Sequence, residues 1–251
     1  MIFHFTVLWF SLVFFGMLTF LLREPIVPSW SWYSLSLFVF VMLSMAASRR
    51  LTGKWYPAFL PGVVSFSTLL LLSLIDVVFE QQVFVFVATI LFYSSLLGIY
   101  RLKLIPSDET ARALLKAAAL ASLFYTYAAA YGLYLNYDVP LALLMLVFFL
   151  ATAIVAFQTL YWAGRDDTRE ILLTALALGT VMGELIWTVH FWPFGYLTIG
   201  AAMLIFFFFL WRLVLDLLRD NLAWKRFLIE GATLILLLGL LLLTSPWRMQ
   251  A

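Results

Sequence analysis

The chain contains no cysteine and only two histidines, His4 and His190, among its 251 residues. The lack of cysteine excludes disulfide bridges, thiolate metal ligands, haem attachment through a CxxCH motif and cysteine nucleophiles. The two histidines are far apart in the sequence and give no local pair of imidazole ligands. We therefore expect no bound metal, no haem and no other cofactor.

Charge is also scarce, because charged residues make up 11% of the chain and hydrophobic residues 65%. A soluble domain is about half apolar and about one quarter charged, so this composition requires lipid as its solvent. The net charge of +2 is small and no Lys/Arg run resembles a nucleic-acid patch, which argues against a nucleic acid partner. The expected partners are the lipid bilayer and other membrane proteins.

Several motifs of common enzymes are missing. The chain has no GxxxxGK[ST] or GxGxxG phosphate loop, no GxSxG nucleophile elbow and no HExxH zinc motif. It has no DxxD-type pair within a span to hold Mg²⁺ and a lipid diphosphate. It also has no lysine in the middle of the last spans, where a retinal Schiff base would need one. These absences do not favour an enzyme.

Nine stretches of the sequence are apolar and long enough to cross a bilayer, which takes about 20 residues. They are about 2–22, 31–48, 57–79, 83–100, 112–135, 139–163, 170–192, 195–218 and 227–246. The gaps between them are too short for a soluble domain, so residues 1–251 are predicted to form one integral membrane domain, an all-α polytopic bundle. We interpret the first stretch as a retained helix, since no basic residue precedes it and no cleavage site follows; without it the chain has eight spans.

The basic residues predict the orientation of the chain. All fifteen Lys and Arg residues except Arg23 and Arg248 lie in or beside the even-numbered turns. Because cytoplasmic loops carry an excess of Lys and Arg, we expect the turns at 101–112 and 164–170 to be cytoplasmic. With nine spans, the N-terminus is then cytoplasmic and the C-terminus lies outside the plasma or bacterial inner membrane.

A weak internal similarity links the starts of three helices. SDETARALL at 107–115 aligns with RDDTREILL at 165–173, and SRRLTGKWYP lies at a similar spacing before the first of these. One interpretation is a two-helix hairpin repeated three times. The other is that each turn before a helix collects Ser, Asp and Thr caps, which suit any helix N-terminus.

The segment GTVMGELIWTVHFWPFGYL, at 179–197, places a glutamate inside an apolar run. Glu184 follows Glu170 by about 21 Å of helix, at about 1.5 Å per residue, which puts it in the outer half of the hydrocarbon. Thr180, Glu184 and Thr188 recur at helical spacing and form one polar stripe. Since intramembrane carboxyls usually face the bundle interior, we expect Glu184 to face inward and to bond Tyr127, Tyr131 or Tyr134.

Two interpretations of this outer polarity remain open. The first is a pocket open to the outside, whose ligand-binding or proton-relay candidates are Glu184, Tyr131, Tyr134, Asp76 and His190. The second is hydrogen bonding between helices, with Asp76, Glu80 and His190 reaching the outer interface. No residue is assigned a catalytic role.

The stretch ELIWTVHFWPFGYLTIGAAMLIFFFFLW, in helices 7 and 8, resembles a segment of uncharacterised multi-pass membrane proteins. Those proteins are found in many bacterial genomes, notably in candidate phyla with small genomes. The resemblance implies a bacterial multi-pass membrane protein and brings no established activity with it.

Three classes of function follow from these observations. The first is a non-enzymatic membrane subunit or scaffold, which the tiny loops and missing motifs favour. The second is a transporter or small-ligand binder with an outward-facing pocket around Glu184. The third is an intramembrane lipid-modifying enzyme, which is the weakest because a spacing of six residues puts Glu184 and His190 on different helix faces.

Overall fold

A computed structural model describes residues 2–23, 30–53, 58–162, 167–218 and 224–245. Over these residues the chain forms nine α-helices and no strand. They are α1 (Ile2–Arg23), α2 (Trp30–Thr52), α3 (Phe59–Leu72), α4 (Val78–Leu104), α5 (Glu109–Asn136), α6 (Leu141–Trp162), α7 (Thr168–Val189), α8 (Tyr196–Leu218) and α9 (Trp224–Thr244). The predicted all-α class is confirmed.

Seven helices within the described residues, α1 and α4 to α9, are long and apolar enough to cross a membrane. This number supports the prediction of a multi-pass membrane protein. Of the other two helices, α2 has 23 residues, but the side chains of 30–36 lie outside the described residues. The second is α3, an apolar helix of 14 residues, which covers about 21 Å at about 1.5 Å per residue.

The boundary between α3 and α4 differs from the sequence prediction. We expected a third helix over 57–79, but α3 ends at Leu72 and α4 begins at Val78. Ser73 caps α3, and Gln81 Nε2 donates to the Ile75 carbonyl at 2.6 Å, which satisfies a backbone acceptor in the turn. Asp76 therefore lies in the turn, and Glu80 lies in the first turn of α4.

The chain divides into two compact units, Met1–Ser122 and Leu123–Ala251, and the boundary falls inside α5. In unit 1, α4 packs against α1, α2 and α3. Phe14 of α1 stacks on Phe92 of α4 with ring centroids 4.3 Å apart. The hydroxyls of Ser44 and Ser65 bond each other between α2 and α3, so these two buried polar groups are paired.

Unit 2 contains the second half of α5 and the helices α6 to α9, in which α6–α7, α7–α8 and α8–α9 are packed pairs. At Gly200, α8 crosses α5 so closely that a Cβ on Gly200 would lie 2.9 Å from the Ala128 backbone nitrogen. Ala128 is itself fully buried. Small residues thus set the closest helix crossings, as is usual where lipid is the solvent.

Aspartates cap two of the helices that the proposed repeat compares. Asp108 Oδ1 accepts the Ala111 N–H at the start of α5, and Asp167 Oδ1 accepts the Arg169 and Glu170 N–H groups at the start of α7. The repeat aligns Asp108 with Asp166, which lies outside the described residues. Capping therefore accounts for an acidic residue at both helix starts, and the repeat stays a prediction.

Candidate functional site

Two glycines decide which face of α7 is buried. A Cβ at Gly179 would lie 2.7 Å from the Phe149 carbonyl oxygen of α6, and one at Gly183 would lie 3.3 Å from the Met145 carbonyl oxygen. Residues four apart share one face of a helix, so this glycine pair lets the α6 backbone come into direct contact with α7. The buried face of α7 is consequently the glycine face, which continues through Met182 and Ile186.

The expectation that Glu184 faces inward is wrong. Glu184 is exposed on α7, together with Thr180 and Thr188, and its side chain makes no hydrogen bond to the described part of the chain. The physical reason is the period of the helix, at about 100° per residue, which turns Glu184 away when Gly183 faces α6. The two hydroxyls of the stripe bond backbone within α7: Thr180 donates to Leu176 O and Thr188 to Glu184 O.

Tyr127, one of the expected partners of Glu184, is bonded elsewhere. It is fully buried, and its hydroxyl lies 2.6 Å from Thr152 Oγ1 of α6. Because Thr152 gives its own proton to the Phe148 carbonyl, the phenol of Tyr127 is the donor. The ring of Tyr127 also stacks on Phe148, with centroids 4.5 Å apart. This contact joins α5 to α6 and does not involve Glu184.

Three of the five candidate residues do come together, at the C-terminal end of α7. The Tyr131 hydroxyl donates to the His190 carbonyl at 3.2 Å, and Tyr131 is 1% exposed. The ring of Tyr134 lies 5.9 Å from that of Tyr131 and 6.3 Å, edge-on, from that of His190. His190 Nδ1 bonds the Trp187 carbonyl. Because a carbonyl oxygen can only accept, Nδ1 carries a proton and donates it.

Asp76 lies in unit 1, exposed in the turn between α3 and α4. The remaining candidates, Glu184, Tyr131, Tyr134 and His190, belong to unit 2. A pocket shared by Asp76 and these residues stays a prediction. Over the described residues, no three His, Asp or Glu side chains form a group that could hold a metal ion.

Sequence reasoning missed two polar contacts. Thr152 lies between apolar residues in α6, and its position in the middle of a span was the available signal that it bonds another helix. Arg101 Nε donates to Asp108 Oδ2 at 2.8 Å across the α4–α5 turn. Their spacing of seven residues across a turn gave no indication of that contact.

A family model described as "Protein of unknown function (DUF5656)" matches residues 42–244. The chain belongs to this family. The match begins within α2 and runs to the end of α9, so it includes the Thr180–Glu184–Thr188 stripe and the cluster of Tyr131, Tyr134 and His190. The family is uncharacterised, which agrees with the resemblance in bringing no established activity. No curated protein and no solved structure matches the chain.

Proposed function

We propose that this chain is a non-enzymatic membrane subunit or scaffold that binds another membrane protein through the exposed polar stripe of α7. One observation carries the proposal: Glu184 is exposed on a helix long enough to span the membrane and has no side-chain hydrogen bond to the described residues. On insertion scales a charged side chain at the centre of a bilayer costs about 2.5 to 3.5 kcal/mol. A partner helix that bonds the carboxyl removes much of that cost.

The depth of Glu184 supports a partner within the membrane. It follows the first residue of α7 by about 24 Å of helix and precedes the last by about 8 Å. The side chain of glutamate is too short to reach the headgroups across that distance, unlike that of lysine or arginine. The group that satisfies it must therefore lie at the same depth.

The chemistry of the stripe defines the partner. The hydroxyl protons of Thr180 and Thr188 are already given to backbone carbonyls, so both oxygens are left with only lone pairs. The side-chain carboxyl of Glu184 also offers acceptor lone pairs. The three groups span about 12 Å along α7, which is about two helical turns. The matching partner is a transmembrane helix that carries hydrogen-bond donors on one face over this length.

Site-specific photocrosslinking in native membranes tests this proposal. A photoreactive amino acid at Thr188 or Thr180 should capture one membrane protein, and the same group at Leu236 of α9, which is 62% exposed and apolar, should not. Glu184→Leu should reduce the Thr188 crosslink at least about tenfold, the equivalent of about 1.4 kcal/mol. Glu184→Gln keeps an acceptor and should retain most of it.

Leu176→Val, a change on the same exposed face without a polar group, is the matched control. An unchanged crosslink in Glu184→Leu, or equal capture from Leu236, would contradict the proposal. Loss of the crosslink in Leu176→Val as well would show that the face matters through packing and that Glu184 is not its anchor.

A small-ligand binder is a second candidate, which the convergence of Tyr131, Tyr134 and His190 supports. It differs from the sequence hypothesis because Glu184 is not part of this cluster. A ligand of this site should raise the unfolding temperature of the purified protein and lose that effect in His190→Ala. A ligand whose effect survives in His190→Ala binds elsewhere.

We also propose that the membrane is the plasma or bacterial inner membrane, with the N-terminus cytoplasmic and the C-terminus outside. The support is the distribution of basic residues, which leaves only Arg23 and Arg248 on the outer side.

A further inference from the structure

An open cleft of about 440 Å³ lies in unit 1, at the C-terminal end of α4. One face of α4 forms most of its wall, from Tyr93 through Leu97 and Tyr100 to Leu104, and the following turn adds Ile105 and Asp108. Its volume falls in the range of about 300 to 1,000 Å³ that small-molecule sites occupy. None of the candidate residues of α5 or α7 lines it.

The cleft has one charged end. Arg101 lines it and is 41% exposed, and its Nε is held by Asp108 Oδ2 at 2.8 Å. The other two guanidinium nitrogens make no hydrogen bond to the part of the chain that the structure describes. Asp108 is fixed in turn, because its Oδ1 accepts the Ala111 N–H. That N–H bond and the Arg101 guanidinium lower the pKa of Asp108, which keeps the pair ionised at neutral pH.

Two neighbouring cationic side chains donate hydrogen bonds to backbone carbonyls. Lys103 Nζ donates to the Leu51 carbonyl at 2.8 Å, and Arg112 Nη2 donates to the Pro106 carbonyl at 2.8 Å. Neither residue lines the cleft. Among the described residues, Arg101 is therefore the cation that lines the cleft, and its remaining edge offers two parallel N–H donors, the geometry that suits a phosphate.

The part of the cleft that runs from Leu97 to Tyr93 lies at the depth of acyl chains. The 27 residues of α4 cover about 40 Å, about 10 Å more than the hydrocarbon core of a bilayer. Arg101 is three residues from the end of α4 and therefore lies at headgroup level. Tyr93 is about 12 Å further along the axis, inside the hydrocarbon. A ligand that fills the cleft has an anionic head and an apolar tail.

We propose that this cleft binds a membrane phospholipid, with its phosphate on the free edge of Arg101 and an acyl chain along Tyr93 and Leu97. A guanidinium matches the geometry of a phosphate, and basic side chains at the end of a transmembrane helix attract anionic headgroups. The Asp108 carboxylate orients the guanidinium through Nε and so leaves the two-nitrogen edge for the phosphate.

Native mass spectrometry of the full chain, titrated in detergent with phosphatidylglycerol, tests the charged end. Arg101→Gln should weaken binding about tenfold, which is the effect of losing one charge-assisted hydrogen-bonded pair. Arg112→Gln removes the same charge from the same turn and should change binding less than about twofold. Equal losses in both variants, or no loss in Arg101→Gln, would overturn the assignment of the phosphate to Arg101.

Arg101→Lys separates the effect of the positive charge from that of the two-nitrogen edge. Lysine retains the positive charge beside Asp108 but lacks the two-nitrogen edge, so binding should fall between that of the wild type and that of Arg101→Gln. Thermal unfolding without added lipid checks that all variants are folded. Wild-type affinity in a folded Arg101→Lys protein would overturn the two-nitrogen contact.

The apolar part is tested by Leu97→Trp and by inorganic phosphate. Leu97→Trp places a larger side chain in the cleft and should weaken phosphatidylglycerol binding without a change in charge. Millimolar inorganic phosphate should neither displace the lipid nor raise the unfolding temperature. Displacement of the lipid by phosphate alone, dependent on Arg101, would show that the ligand is a free anion and would overturn the lipid assignment.

A phosphatidylglycerol with a photoreactive acyl chain gives a positional readout. Its crosslinks should map to the segment 93–104, and Leu97→Trp should remove them. Crosslinks distributed evenly over the exposed faces of α4 and α9 would mean an ordinary lipid annulus and would overturn the proposal.

Discussion

α7 and α9 are apolar helices of nearly equal length, 22 and 21 residues, and each contains two glycines. In α7, Gly179 and Gly183 touch the α6 backbone, and the helix buries one face. In α9, a Cβ at Gly231 or Gly239 would meet no atom within 4 Å, and none of its residues is buried. In these two helices, glycine thus goes with close packing only where the backbone of a partner helix is present.

The exposed faces of the two helices differ as well. The exposed face of α9 along 235–243 is a run of large aliphatic side chains, for which lipid is a good solvent. The exposed face of α7 carries Thr180, Glu184 and Thr188. The exposure of a helix face therefore has a different interpretation in each of the two helices. For α9 it is compatible with lipid contact, whereas for α7 it leaves a carboxyl exposed on a helix long enough to span a membrane.

The prediction with the largest expected effect, which is all-or-none, is that the two helices cross the membrane in the same direction. Both follow basic turns, so both should start in the cytoplasm and end outside. A reporter active only in the cytoplasm should give no signal at the C-terminus and a full signal in the 101–112 turn. Cytoplasmic signal at the C-terminus would reverse the orientation of α9.

Gly179→Ala should have the largest effect on stability. The new Cβ would lie 2.7 Å from the Phe149 carbonyl oxygen, so α6 and α7 must separate. We expect a loss of about 2 to 3 kcal/mol in the free energy of unfolding, measured by denaturant titration in detergent. Gly183→Ala, with a Cβ 3.3 Å from the Met145 carbonyl oxygen, should lose less. An equal loss at both positions would mean that the glycines do not set the α6–α7 distance.

Tyr127→Phe should have a smaller effect. It removes the hydrogen bond to Thr152 Oγ1 and leaves the ring stacked on Phe148. Because Thr152 still donates to the Phe148 carbonyl, no buried donor loses its acceptor, and the expected loss is about 1 kcal/mol. Thr152→Val removes the same bond from the other side, so the double variant should lose little more than either single one.

Gly239→Ala should have the smallest effect and the opposite sign. Nothing lies within 4 Å of its Cβ position, so alanine meets no steric conflict in α9. The gain in helix propensity predicts a stabilisation of about 0.5 kcal/mol, measured in the same titration as Gly179→Ala. A clear destabilisation would show that α9 packs closely against another chain at this position.

The sequence predicted the positions of most helices well, because each apolar run in lipid must satisfy its backbone internally and therefore becomes helical. The prediction failed at α3, where the apolar character of 73–79 suggested a longer helix than the one that ends at Leu72. Hydropathy does not register the bond from Gln81 to the Ile75 carbonyl, which stabilises the turn. Three of the five candidate residues, Tyr131, Tyr134 and His190, lie together at the end of α7, and their role stays a prediction.

The sequence by itself determined that this chain forms apolar helices, because its composition is 65% hydrophobic and only 11% charged. Only the tertiary structure decided which stripe of α7 is buried. The glycine stripe and the Thr180–Glu184–Thr188 stripe lie on adjacent faces, and hydropathy favours neither. The glycine stripe is the one that packs on α6, because the two backbones lie too close together for any larger side chain between them. Glu184 is therefore left exposed.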